Sequence, residues 1–225
     1  MLFRSEITWE FCTRAVTAGA SALVVTVDTP SLGARDLDKR TPSGAASGVT
    51  FPKLPTHPHQ DESIPAHRRI WNPHLANNLT ASDLTFLREH VDVPILAKGI
   101  LRADDARRAI DAGAHGIIVS NHGGRNLDTV PATADVLGSV VQAVQQIDPR
   151  VPVLVDGGIR RGTDVAVALS LGATAVLVGR PIIWGLATYG SSGVQHVIEV
   201  LRTELEMAMA LLGARQVSQI GRAHV

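Results

Sequence analysis

The stretch R-R-A-I-D-A-G-A-H-G-I-I-V-S-N-H, Arg107 to His122, decides the fold. It reads as the last turns of a helix, a glycine at position 113, and a β-branched run with the length of a strand buried on both faces. The same order recurs in T-R-A-V-T-A-G-A-S-A-L-V-V-T-V-D (Thr13 to Asp28) and in A-V-A-L-S-L-G-A-T-A-V-L-V-G-R-P (Ala166 to Pro181). Glycines 19, 113 and 172 occupy the place of a helix C′ residue with positive φ, so each segment is the αβ half of a βα unit. Two more apolar runs, Pro94-Ile95-Leu96-Ala97-Lys98 and Pro152-Val153-Leu154-Val155-Asp156, are each followed by glycine and a helical pattern, which brings the tally to five strands. Strands alternating with helices imply an α/β fold with a parallel sheet and right-handed crossovers, either open or closed into an eight-stranded (β/α)8 TIM barrel.

The helix signals agree with that alternation. Arg102-Ala103-Asp104-Asp105 leads into A-R-R-A-I-D-A, and Thr163-Asp164 opens V-A-V-A-L-S-L, each with acidic residues suited to a first turn. Val194 to Leu212 reads as one long amphipathic helix, apolar at 194, 197, 198, 201, 205, 208, 209 and 212. The segment Thr29 to Thr80 is different: it holds seven of the 12 prolines and four of the nine histidines and has no sustained periodicity, so it is expected to be a lid-like loop over residues 29–80. His57-x-His59 with Asp61 nearby has a metal-ligand look, but a solvated, proline-rich loop is the plainer account and no metal is expected.

Composition narrows the function classes. At 225 residues with 45% hydrophobic content the chain can build a real core, and 21 basic against 21 acidic residues give no electrostatic footprint for nucleic acid or an anionic membrane. The lone Cys12 reads as a small hydrophobe on a helix and excludes an internal disulfide, which fits a reducing compartment, the cytoplasm. No apolar run approaches the roughly 20 residues of a membrane span, and M-L-F-R-S-E-I-T lacks the apolar centre of a signal peptide.

What the strands end in points to chemistry. The five endings are T-V-D-T-P (Thr26, Asp28), A-K-G (Lys98), S-N-H-G-G-R (Ser120, His122, Arg125), D-G-G-I-R-R-G (Asp156, Arg160) and G-R-P (Gly179, Arg180). In parallel α/β folds ligands bind at the C-terminal ends of strands, so five charged endings converge on one surface. Asp156-Gly157-Gly158-Ile159-Arg160 with Gly179-Arg180 one unit later resembles a phosphate cradle: glycines let backbone N–H groups approach an anion, and arginine offers a forked donor. Lys98, His122, Arg125 and Asp28 then supply an oxyanion stabiliser, a base, a carboxylate clamp and an orienting acid.

These motifs, A-K-G-I, I-I-V-S-N-H-G-G-R-N-L-D, V-P-A-T, D-G-G-I-R-R-G-T-D-V and V-G-R-P in this order, resemble the FMN-dependent α-hydroxy acid oxidases and dehydrogenases, the family of glycolate oxidase, lactate oxidase, flavocytochrome b2 and mandelate dehydrogenase. The resemblance covers essentially the whole chain and implies a barrel that binds FMN and oxidises an L-2-hydroxy acid to the 2-oxo acid. It implies that His122 is the base, that Asp28 orients it, and that Arg125 and Arg35, the latter in S-L-G-A-R-D, bind the substrate carboxylate. Lys98 matches the lysine beside flavin N1 and O2, and Thr26 and Ser120 match smaller contacts to the isoalloxazine. Asp156, Gly157, Gly158, Ile159 and Arg160, with Gly179 and Arg180, match the ribityl and phosphate contacts. Which hydroxy acid is used, and whether oxygen, quinone or cytochrome accepts the electrons, stays open.

The pattern departs from the family at the start. Full-length relatives carry further βα units before T-V-D-T-P and two active-site tyrosines, whereas the one tyrosine here, Tyr189, follows the last motif. The expectation is therefore one domain over residues 1–225 holding the last five βα units of an incomplete barrel, about three strands short of closure. It would act as a homo-oligomer or with a complementing N-terminal chain; the alternative is a non-catalytic remnant that binds a phosphate or a partner chain. A different FMN or phosphate-binding barrel, such as an isomerase, is the weaker reading.

Overall fold

The computed structural model describes residues 5–31, 33 and 79–221. Helix α1 (Ser5–Thr17) leads to β1 (Leu23–Thr26), and after the long intervening segment come α2 (Ala81–His90), β2 (Ile95–Ile100), α3 (Ala103–Asp111) and β3 (Gly116–Val119). A short 3-10 turn at His122–Gly124 precedes α4 (Thr133–Gln145), β4 (Val153–Val155), α5 (Gly162–Ser170), β5 (Ala175–Val176) and α6 (Arg180–Leu211). All five strands are parallel and lie in sequential order, β1-β2-β3-β4-β5.

The repeat seen in the sequence is a repeat of one helix ending. At Gly19, Gly113 and Gly172 φ is 96°, 101° and 97°. In each case the glycine N–H and the N–H after it close back on the helix, as in Gly113 N to Ile110 O at 2.8 Å and Ala114 N to Ala109 O at 2.9 Å. This pair of bonds satisfies the last carbonyls and turns the chain straight into the next strand. Gly213, with φ 70°, ends α6 in the same way.

The main core cluster lies on one face of the sheet. Ile95, Ala97, Ile117, Val119, Val153 and Val155 point to the helices and meet Leu84 and Leu87 of α2, Ala106 and Ala109 of α3, and Leu137, Val140 and Val144 of α4. Each fully buried branched side chain contributes about 1.5–3 kcal/mol relative to exposure. The alternate set, Val24, Leu96 and Gly116 in one lateral row and Thr26, Lys98, Ile118 and Leu154 in the next, forms the opposite, concave face. Sequential strand order with helices on one side is an arc of a barrel rather than a doubly wound sheet, which would be covered on both faces. The incomplete barrel is thus what the described residues form.

Two elements differ from expectation. The last helix starts at Arg180 rather than Val194 and is two helical segments, 180–188 and 191–211, broken at Tyr189 (φ −137°, ψ 20°) and Gly190 (φ 61°, ψ −141°). They fold onto each other so closely that a Cβ on Gly185 would stand 2.6 Å from the Gly193 carbonyl oxygen. Strand β2 continues through Gly99 to Ile100, with a register shift between Lys98 and Ile100. That bulge keeps Lys98 on the concave face while turning Ile100 into the core. Cys12 lies half-buried on α1 against the core as a free thiol, and burial pushes its ionisation up. Of the expected loop over 29–80, only its two ends are described; His57, His59 and Asp61 lie outside the described residues. Among the described residues no helix is long and apolar enough to cross a membrane.

Candidate active site

The strand ends converge as their sequence positions require. Lys98, in β2, sets its Nζ 3.0 Å from Asp156 Oδ2 just after β4, and donates to Ser120 Oγ just after β3 at 2.9 Å. Both charged side chains are 18% exposed, so the pair is only weakly screened. Ser120, fully buried, also accepts the backbone N–H of His122 at 3.1 Å. One hydroxyl thus ties the lysine to the histidine loop.

His122 stands in the left-handed region with φ 56°, followed by Gly123 (φ 65°) and Gly124 (φ 72°). A non-glycine residue there costs on the order of 1–3 kcal/mol and persists only where its surroundings hold it. Its Nδ1 lies 3.2 Å from Asp28 Oδ1, across the sheet from β1. An ionised carboxylate only accepts, so Nδ1 carries the hydrogen and Nε2 is left to take a proton. Asp28 reaches that position because Gly99 makes room: a Cβ there would lie 2.5 Å from the Asp28 Cβ, and Gly99 itself has φ 109°.

A cleft of about 210 Å³ runs past these residues, lined by Lys98, His122, Arg125, Asp156, Arg160 and Arg180. Gly157 and Gly158, with φ 88° and 82°, line it together with Ile159 and Gly179. Arg180 Nη2 donates to the Gly123 carbonyl at 3.1 Å, which closes the loops after β3 and β5 on each other. The backbone N–H groups of Arg160 and Arg161 both donate to Asp164 Oδ2 at 2.9 Å, so the first turn of α5 is capped by its own aspartate and Arg160 faces the cleft only with its side chain.

Thr26, beside Lys98 in register, is exposed on the concave face. Arg35 lies outside the described residues; Gly33, two positions earlier in the chain, packs directly on the backbone carbonyls of Arg125 and Asn126. Four side-chain oxygens are buried without a hydrogen-bond partner among the described residues, namely Asp28 Oδ2, Asn121 Oδ1, Asn126 Oδ1 and Asp156 Oδ1. Such atoms are uncommon in folded proteins and concentrate where a ligand or a working group stands.

Three polar residues at the site escaped the reading of charged strand ends. Thr133 donates to the Asp156 carbonyl at 2.6 Å, and Asn126 donates to the Asp28 carbonyl at 2.9 Å and to Thr29 Oγ1 at 2.8 Å. All three sit in quoted motifs, V-P-A-T, G-G-R-N and V-D-T-P, but neutral groups gave no charge signal.

The sequence profile of the FMN-dependent dehydrogenase family matches residues 1–225. Among curated proteins, a peroxisomal (S)-2-hydroxy-acid oxidase of Oryza sativa subsp. japonica is 49% identical over 217 residues, 94% of this chain and 57% of the relative. An L-lactate oxidase of Nostoc sp. is 45% identical, over 92% of this chain and 57% of its own length, and 2-hydroxyacid oxidase 1 of Homo sapiens is 44% identical, over 98% and 60%. Among solved structures, mandelate oxidase with 3,3-difluoro-2-hydroxy-3-phenylpropionic acid superposes with a TM-score of 0.78 at 40% identity, covering 98% of this chain and 60% of that one. The chain therefore spans about 57–60% of the length of these relatives.

Proposed function

The chain belongs to the family of FMN-dependent dehydrogenases, and from that premise we propose that it carries the catalytic, C-terminal part of an enzyme that oxidises an L-2-hydroxy acid to the 2-oxo acid. The observation that carries this reading is the Asp28–His122 pair at 3.2 Å set beside the Lys98–Asp156 pair at 3.0 Å, on one cleft. His122 accepts one proton of the substrate on Nε2 while Asp28 holds the ring and stabilises its cationic form. Arg125, on the cleft wall, holds the substrate carboxylate, with Arg35 as the second guanidinium that the sequence assigns to it.

The residues present fit FMN. Asp156 offers a buried carboxylate oxygen without a partner, and Gly158 and Gly179 leave open space where a Cβ would stand. Arg160 and Arg180 supply guanidinium donors for a phosphate, and Thr26 and Ser120 smaller contacts. When bound, FMN takes up the two electrons that leave the substrate. Lys98, fixed between Ser120 and Asp156, presents a permanent positive charge to that position.

We read residues 1–225 as one unit, the last five βα units of a barrel, completed by the remaining units of a longer product, by a complementing chain or within a homo-oligomer. A non-catalytic remnant is not favoured, because it has no need of a histidine held in a left-handed conformation against a half-buried carboxylate. For location, the single cysteine supports a reducing compartment such as the cytoplasm, while the plant relatives are named peroxisomal.

The test is an FMN titration of the enzyme reconstituted from this chain and the remaining βα units, followed by fluorescence and the visible spectrum, then addition of glycolate or lactate without oxygen. Binding and bleaching in the wild type, with binding but no bleaching in His122→Ala, is the expected result. Bleaching that survives in His122→Ala would remove the base assignment.

A further inference from the structure

Two neutral residues stand behind the carboxylate that faces His122, and their hydrogen bonds can be assigned a direction. Asn126 Nδ2 lies 2.9 Å from the Asp28 carbonyl oxygen and 2.8 Å from Thr29 Oγ1. The carbonyl is acceptor-only, so the amide nitrogen, not Oδ1, must face it, which fixes the amide orientation. Both amide hydrogens are then used, one on the carbonyl and one on the Thr29 hydroxyl. Having accepted there, Thr29 Oγ1 turns its own hydrogen to the remaining neighbour, Asp28 Oδ1, at 3.0 Å. That same oxygen receives His122 Nδ1 at 3.2 Å, while Asp28 Oδ2 is buried with no partner among the described residues.

We propose that Asn126 and Thr29 form a directional hydrogen-bond brace on Asp28, Asn126 to Thr29 to Asp28, which sets both the position of the carboxylate and the strength of its bond to His122. They are positioning residues that act through Asp28. The two have opposite effects. Thr29 competes with His122 for one oxygen, so its donated bond withdraws charge from Oδ1 and tempers the bond to the imidazole. Asn126 anchors the backbone at Asp28 and keeps Thr29 pointed at it, so it holds the pair together. The brace also joins the loop after β1 to the loop after β3, where Gly33 packs on the Asn126 carbonyl. The other charged groups around His122, namely Lys98, Asp156, Arg125, Arg160 and Arg180, make no hydrogen bond to Asp28 among the described residues.

The functional meaning rests on the reading of His122 as the base, but the test does not need turnover. The readout is the ring Nδ1–H resonance of His122 in 15N-labelled chain at low temperature. Thr29→Val keeps the shape and removes the hydroxyl, and is expected to move that resonance downfield as the Asp28 bond strengthens. Thr29→Ser is expected to restore the wild-type position. Asn126→Leu is expected to move it upfield or abolish it. A loss of structure alone would move both sites the same way. Thr29→Val is near-isosteric and decides the matter by itself: an unmoved or upfield resonance in that variant overturns the brace. Turnover retained by His122→Ala, with these shifts intact, would instead overturn the base assignment and leave the brace standing.

Discussion

At the scale of single residues, the site depends on small groups as much as on charged ones. Gly99 combines a positive φ with a position where a Cβ would sit 2.5 Å from the Asp28 Cβ. Gly99→Ala therefore adds backbone strain to overpacking, a loss of about 3 kcal/mol in stability, and it displaces Asp28 from His122. Urea denaturation checks the first effect and the His122 ring resonance the second; a variant as stable as wild type, with the resonance unmoved, would show that the carboxylate has room to spare. Asp28, Lys98, His122 and Asp156 were legible in the sequence because each charge follows an apolar run that must be a strand, so topology alone brings them together. Thr29, Asn126 and Thr133 were not, since a hydroxyl or an amide next to a glycine also reads as ordinary turn chemistry. Arg160 lines the cleft, and its backbone N–H is taken by Asp164 four residues on, one of the acidic residues read as opening the helix.

At the scale of elements, one close crossing holds the phosphate-side loop in place. Glu204 of α6 accepts the Gly162 N–H at 2.9 Å and Arg161 Nη1 at 3.1 Å, and a Cβ on Gly162 would collide with the backbone of Glu204 and Leu205. The start of α5 is thus pinned to α6 two residues after Arg160. Glu204→Gln keeps the shape but weakens a charge-assisted bond, which costs about 1 kcal/mol, whereas Gly162→Ala forces two helices apart and costs about 3 kcal/mol. Chemical denaturation of both variants checks the order; equal losses would mean that the contact is electrostatic rather than steric. The five strands were legible because the glycine-terminated helix ending recurs before three of them. The first segment of α6 was hidden, because W-G-L-A-T-Y-G-S-S-G carries glycines that oppose helix on propensity and are needed here for the Gly185–Gly193 crossing. Helix α2 had a readable start: Asp83 Oδ2 accepts the Thr80 N–H at 2.7 Å, a T-x-x-D box whose pattern stood in the sequence at the edge of a proline-rich segment.

At the scale of the whole molecule, the sheet is an arc with two ends. Among the described residues β1 pairs only with β2 and β5 only with β4, so the outer edge of each strand offers unpaired backbone groups. The concave face beside that first edge is apolar and open, with Val24 52% exposed at the middle of β1. Of α6, Ile183 and Leu211 are 59% and 88% exposed, and Trp184, 54% exposed, lines the cleft. Natural sheets protect such edges with charge, proline or a covering element, and exposed apolar patches of this kind bind something. The chain spans 57% of a 49% identical relative, so in a longer product the same surfaces would meet further βα units. By itself the chain is expected to self-associate with concentration and to bind a hydrophobic dye. Val24→Lys should reduce both, because a cation in the middle of β1 disfavours edge-to-edge pairing while leaving the helix-side core untouched. Sedimentation velocity over a concentration series, with dye fluorescence in parallel, is the measurement. A wild-type chain that stays monomeric and dark throughout would mean that the concave face is already covered by the chain's own residues, and that the arc is a finished fold rather than an open one.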